Sequence, residues 1–319
     1  MISVKKKIKK IALMLGIRLT SERAYQELKL QRNLALKKII QKTNQSGFDS
    51  GLTAVIFSKD RAMQLYLTLE SLNNSINKKI VVFVLYKVSN VDHCKSYKNL
   101  ILLNKYANLD VHFINERHEF KDSLIGVLER IQTDKLFFLT DDDVFIRKWD
   151  IDEVWDLDAF ENILSLRHGL NIVYSYNENS KINQPEIIPQ EHYKNIYRFN
   201  WLDGTGEWAD PMSVDGHIYS TVEILSISLI SNFRAPNTYE SVLKTYSDIN
   251  KDGFCYPRSI IVNLPINLVQ GEVKNKSGNI SSEYLLNQWM KGMKIDLTGI
   301  YQSSNMSTHK EYDVTFISR

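Results

Sequence analysis

Between Leu52 and Thr140 short, almost wholly apolar runs alternate with longer stretches of helical periodicity. The runs Leu52–Phe57 (LTAVIF), Ile80–Tyr86 (IVVFVLY), Val111–Ile114 and Leu136–Thr140 (LFFLT) predict strands. Ala62–Leu72, Tyr97–Tyr106 and Ser123–Ile131 predict helices between them. Strands this apolar must be covered on both faces, which predicts βαβ units around a mainly parallel sheet. Beyond Asp150 the texture is less regular and richer in Trp, Tyr and Asn, with a Gly- and Trp-bearing stretch at Trp201–Met212.

The first forty residues read differently. Val4, Ile8, Ile11, Ala12 and Leu15 recur at helical spacing while Lys5, Lys6, Lys7, Lys9 and Lys10 fill the other positions, which predicts a basic amphipathic helix. A second helix is expected from Thr20 or Ser21 to about Lys42, followed by the polar linker Thr43–Gly51. Residues 1–40 hold eight lysines and three arginines against Glu22 and Glu27, a balance of +9. With +3 for the whole chain, the remainder carries −6. Such a split predicts an arm that seeks anionic membrane through residues 1–42 and a body without general affinity for nucleic acid. The apolar stretch Ile11–Ile17 is far shorter than the roughly 18–20 residues of a membrane span. Cys94 and Cys255 stand apart without a Cys/His cluster, which speaks against a disulfide framework or a zinc site and for a reducing compartment. The expected location is the cytoplasm, peripheral on the inner face of the cytoplasmic membrane.

The sharpest chemical feature is Asp141-Asp142-Asp143, directly after the apolar run Leu136–Thr140. Ligands in open α/β sheets gather outside the carboxyl ends of strands, and adjacent carboxylates repel one another unless a cation neutralises them. Hard oxygen ligands favour Mg2+ or Mn2+. Asp150-Ile151-Asp152 and Asp156-Leu157-Asp158 read as solvated acidic turns. At the end of the first body strand, Ser58-Lys59-Asp60-Arg61 offers polar groups for a base or ribose, with Arg61 near phosphates. No GxGxxG or GxxxxGK[ST] loop occurs, which removes Rossmann dehydrogenases and P-loop NTPases from the candidates. Trp201, Trp208 and Tyr219, interleaved with Asp203, Glu207 and Asp210, either offer a sugar flat apolar faces with carboxylates nearby or are core aromatics with satisfied polar tips, and His217 and His309 are candidates for a metal or acceptor contact.

A strand, polar turn and helix at Val55–Leu72, an Asp triple about 80 residues later and an irregular C-terminal half resemble the GT-A fold, and their order is similar to family 2 glycosyltransferases. The resemblance spans roughly residues 51–243. It implies an α/β fold with a mainly parallel central sheet, here preceded by the basic helical arm of residues 1–50. It divides the body, 51–319, into a nucleotide-sugar half (51–150) and an acceptor half (151–319). By this resemblance Ser58, Asp60, Arg61, Lys121, Asp141 and Asp142 bind the nucleotide-sugar, and Asp141 and Asp143 hold Mn2+ or Mg2+. Asp215-Gly216-His217-Ile218-Tyr219-Ser220 is similar to the acceptor-facing strand, and Pro236-Asn237-Thr238-Tyr239-Glu240 to the loop carrying the catalytic base. Glu240 is thus the expected base and Asp215 its rival, although the family's Glu-Asp pair is reduced here to one Glu; read from the residues alone, Glu240 could equally be a first-turn carboxylate that stabilises a helix N-terminus. Trp201, Trp208, His217 and Tyr219 are the expected acceptor contacts.

What the resemblance implies is metal-dependent, inverting transfer of a sugar, by default from a UDP-sugar, to a glycan or lipid-linked glycan in the synthesis of surface polysaccharide or glycolipid. The alternatives are a retaining transferase of the same fold and a non-catalytic scaffold at the membrane. A sugar-nucleotide pyrophosphorylase would need a glycine-rich loop, and Ser58–Arg61 contains no glycine.

Overall fold

The computed structural model describes residues 47–319 apart from 117–118, 194, 247–250, 268–277 and 279. The chain divides into two compact units, residues 1–47 and 48–319. Of the expected basic arm, residues 1–46, and with them its two helices, lie outside the described residues, whereas Asp49, Ser50 and Gly51, expected in the polar linker, already belong to the first strand. No described helix is long and apolar enough to cross a membrane.

In the body, β1 (Asp49–Lys59), β2 (Ile80–Lys87), β3 (Leu109–Asn115) and β4 (Thr133–Thr140) alternate with helices Ala62–Ser75, Val91–Leu102 and Phe120–Leu128. β1 and β3 extend the apolar runs by one to three residues at both ends, β2 by one residue at its C-terminal end and β4 by three at its N-terminal end. The second helix begins six residues before the expected Tyr97, because the Asn90 side chain accepts hydrogen bonds from the backbone N–H groups of Asp92 and His93 and so starts it. After the Asp triple come β5 (Asp143–Phe145), β6 (Asn162–Ser165), β7 (Tyr174–Ser175), β8 (Ser180–Lys181), β9 (Ile188–Pro189) and β10 (Tyr197–Asn200). They are followed by β11 (His217–Ser220), helices Thr221–Ile230 and Pro236–Tyr246, β12 (Asp252–Cys255) and β13 (Ile261–Asn263). Helix Ser282–Met290 and an antiparallel pair, β14 (Met293–Ile295) with β15 (Phe316–Ser318), close the chain.

Nine strands form one sheet in the order β3-β2-β1-β4-β11-β6-β12-β10-β9. The pairs β3-β2, β2-β1, β1-β4 and β6-β12 are parallel, and only β11 and β10 run against the common direction. Alternation along β1 sends Leu52, Ala54 and Ile56 into one core and Val55 and Phe57 into the other. In β4, Phe137 and Leu139 face the first core, Leu136 and Phe138 the second. Both faces are therefore dry along the middle of these strands, which is why Ala54–Phe57 and Leu136–Leu139 are wholly apolar while the polar residues lie chiefly towards the strand ends. The chain steps from β1 to β2 and β3 on one side, then returns to place β4 on the other, so the order reverses between β1 and β4. Loops leaving the carboxyl ends on either side of such a reversal diverge and leave a crevice.

Candidate active site

The two segments singled out in the sequence flank that reversal. Thr140 pairs with Phe57, so the residues that follow β4 lie beside those that follow β1. Asp141 accepts hydrogen bonds from Ser58 Oγ at 2.8 Å, Lys59 N at 3.2 Å and Arg61 Nη1 at 2.9 Å. Arg61 Nη1 also reaches Asp142 Oδ2 at 3.0 Å, and Nη2 donates to the Asn267 carbonyl. Burial works against the charge on Arg61, yet Asp141 and Asp142 together hold its pKa above the ordinary value. Burial lifts Asp141 to about 6, opposed by Arg61 and assisted by Asp142.

Asp142 and Asp143 meet a third element. β13 pairs antiparallel with β5 so that Asn263 lies opposite Asp143, and an isolated bridge joins Asn263 to His309. Asn263 Nδ2 donates to Asp142 Oδ1 at 3.1 Å, Asp143 Oδ1 at 3.2 Å and Thr140 Oγ1 at 3.5 Å. Three oxygens thus converge on one nitrogen. Asp143 Oδ2 is occupied separately, accepting from Thr140 N at 2.8 Å and Thr140 Oγ1 at 3.1 Å. Of the expected metal pair, Asp141 is committed to Ser58 and Arg61, and its place beside Asp143 is taken by Asp142. Burial lowers His309 to about 4, with Arg167 acting in the same sense, so its ring is neutral at pH 7.

The opposite wall comes from the less regular half. Gly216 adopts φ +73°, a left-handed conformation that favours glycine, and a Cβ there would press on Ile261 Cδ1 at 2.2 Å. The turn brings Asp215 back towards β4, where it accepts from Thr140 Oγ1 at 3.2 Å and pairs with Arg167 at 3.2 Å. Arg167 also donates to Ser213 Oγ and Thr308 Oγ1. Sequence reasoning missed Arg167, which had no motif; its one signal is its place just beyond β6. Glu240 sits in the second turn of its helix, beyond the first-turn position where a carboxylate stabilises a helix N-terminus, and Lys244 lies 3.9 Å away. Burial raises Glu240 to about 7, reinforced by Asp215 and opposed by Lys244. A cleft of about 420 Å³ joins the two walls, lined by Ser58, Arg61, Asp141 and Asp142 on one side and Asp215 and Glu240 on the other.

Other expected site residues lie elsewhere. Asp60 takes φ +57°, a left-handed conformation that Asp tolerates better than most residues, and its carboxylate accepts from Ser89 N at 2.8 Å. It ties the ends of β1 and β2 together and does not line the cleft. Lys121, on helix Phe120–Leu128, points to Asn232 Oδ1 at 3.4 Å, and its neighbour Phe120 lines the cleft instead. Trp201, Trp208, His217 and Tyr219 are core residues, each no more than 1% exposed. Trp208 stacks on His168 with ring centres 4.5 Å apart and donates to the Ile172 carbonyl, and the Tyr219 hydroxyl donates to the Ser213 carbonyl. Large aromatic rings bury more apolar area than they can expose at a wet acceptor surface, and here burial prevails. Asp150 and Asp158 bind backbone N–H groups of their own turns, as expected of solvated acidic turns.

No protein-family model matches the chain, and no curated protein matches it. Solved structures similar to it include S. aureus TarS 1-349, at 13% identity and TM-score 0.39 over 66% of this chain and 59% of that one. Another is the mannosyltransferase PcManGT from Pyrobaculum calidifontis, in complex with GDP-Man and Mn2+, at 11% identity and TM-score 0.29 over 44% of this chain and 45% of that one. A third is the 4-diphosphocytidyl-2C-methyl-D-erythritol synthase from Anaerococcus prevotii, at 13% identity and TM-score 0.36 over 77% of this chain and 97% of that one. The chain spans less than two thirds of the length of TarS 1-349 or PcManGT. These overlaps are slight, and the fold stands on the chain's own topology. Four parallel strands in the order β3-β2-β1-β4, an antiparallel β11 beside them and an acidic triple at the carboxyl end of β4 make this a GT-A-like α/β fold.

Proposed function

We propose that the protein transfers a sugar from a nucleotide-diphosphate sugar to a hydroxyl group of a glycan or lipid-linked glycan acceptor, with inversion at the anomeric carbon. The observation that carries this reading is the cleft in which Asp141 and Asp142, with Arg61, share one lining with Asp215 and Glu240. The acceptor oxygen bonds to the anomeric carbon, the bond from that carbon to the diphosphate oxygen breaks, and the hydroxyl proton passes to Glu240. A base titrating near 7 is suited to that transfer at neutral pH. Asp215, tied to Arg167 and Thr140, is left to orient the acceptor.

Asp142 Oδ1 and Asp143 Oδ1, gathered by the Asn263 amide, are hard oxygen ligands that would suit a divalent cation in exchange for that amide's hydrogen bonds. Asp142 and Asp143 would hold Mn2+ or Mg2+, with the neutral ring of His309 close by. Among the described residues no three His, Cys, Asp or Glu side chains form a complete metal site, so phosphate oxygens of the donor would supply further ligands. The ion, when bound, neutralises charge on the departing diphosphate. The test is calorimetry with nucleoside diphosphates with and without Mn2+, followed by a transfer and hydrolysis screen across nucleotide-sugars. Absence of any metal-dependent nucleotide binding would leave a scaffold of the same fold.

A further inference from the structure

The cleft has another end, which neither the acidic triple nor Glu240 occupies. Phe57, Leu85 and Phe120 give it an apolar lining, and Lys87 and Glu116 stand with them. Lys87 closes β2, and Glu116 follows β3 directly, its N–H donating to the Tyr86 carbonyl at 2.8 Å. The parallel register that pairs Tyr86 with Asn115 brings the two side chains together, and Lys87 Nζ donates to Glu116 Oε1 at 2.6 Å. The Glu116 side chain is 11% exposed and that of Lys87 52%, so the carboxylate is sheltered while the ammonium remains wet.

An apolar slot ending in a few fixed polar groups suits a flat heterocycle. The polar edge here offers two carboxylate acceptors followed by one ammonium donor. Guanine presents the complementary sequence of N2–H, N1–H and O6. Uracil sets its O2 against one carboxylate oxygen, cytosine its N3 and adenine its N1, each an acceptor facing an acceptor. Resting on the glycosyltransferase reading, we infer that the donor is a guanosine-diphosphate sugar, with Glu116 accepting from N1–H and N2–H and Lys87 donating to O6. This replaces the uridine nucleotide that the family resemblance makes the default.

The test is calorimetry of the full chain with GDP, UDP, CDP and ADP in the presence of Mn2+, repeated for Glu116→Gln and Lys87→Ala. The wild type should bind GDP at least about tenfold more tightly than the other three. Glu116→Gln replaces one acceptor by a donor, so it should weaken GDP about tenfold and narrow or reverse the gap to UDP. Lys87→Ala should weaken GDP without bringing UDP ahead. An ion pair that only stiffens the strand ends would change thermal stability and leave the order of nucleotides untouched, and that result overturns the inference. So does wild-type binding of UDP, CDP or ADP as tight as GDP, which leaves the glycosyltransferase reading standing. Failure of all four to bind overturns both.

Discussion

Replacing Glu240 by Gln separates its two physical consequences. The carboxyl titrates at about 7 against an ordinary 4.5, because burial and Asp215 oppose its charge more strongly than Lys244 favours it. That difference corresponds to ~3 kcal/mol held against the charged form; partial exposure reduces it to about 1–3 kcal/mol. A carboxyl raised in the folded state adds stability while protonated, fully below its unfolded value, and loses it as pH rises through about 7. Glutamine never acquires the charge. Glu240→Gln should therefore match the wild type near pH 4.5 and gain a few degrees in Tm over it by pH 8. As a base the carboxylate must be ionised, so wild-type kcat/KM should fall about tenfold per pH unit below 7, and the Gln variant should lose roughly 100-fold or more in transfer. Nucleotide binding should survive. Calorimetric melting across pH and initial rates with a fixed donor supply both readouts. Wild-type turnover in the variant, or a rate flat between pH 5 and 7, would remove Glu240 from the chemistry.

Asp142→Ala and Asp143→Ala should each abolish Mn2+-dependent nucleotide binding, read by electron paramagnetic resonance of the free ion, whereas Asp152→Ala, on a half-exposed carboxylate paired with Lys78, should be nearly silent. Trp208→Ala should cost ~3–5 kcal/mol by denaturant unfolding, while the milder Trp208→Phe should leave acceptor KM unchanged; a raised KM would return this residue to the acceptor site. Removal of residues 1–42 should abolish flotation with anionic liposomes, since the first forty of them alone carry +9 and each basic charge near such a surface contributes about 1 kcal/mol; equal flotation of both forms would refute a membrane role for the arm.

The buried strands were legible in the sequence because a strand covered on both faces must be apolar throughout, and Leu52–Phe57, Ile80–Tyr86 and Leu136–Thr140 are. The Asp triple stood out for the related reason that charge placed against such a strand needs a purpose. Which carboxylates pair was not legible, since that depends on partners far along the chain: Arg61 takes Asp141, and Asn263, brought opposite Asp143 by β13, gathers Asp142 and Asp143. Local pattern also left the aromatics open between a sugar platform and the core. Trp201 and Trp208 resemble a sugar platform only while their burial is unknown, and packing against His168 and Phe199 makes them core. The same holds for the histidines, identical in sequence signal, of which His217 is sealed in that core and His309 is carried to the cleft by its bridge to Asn263. Periodicity reports whether an element is covered, because burial acts on every residue of it alike; which side chains share a cleft is a matter of strand order and register, set by contacts between segments that no local window contains.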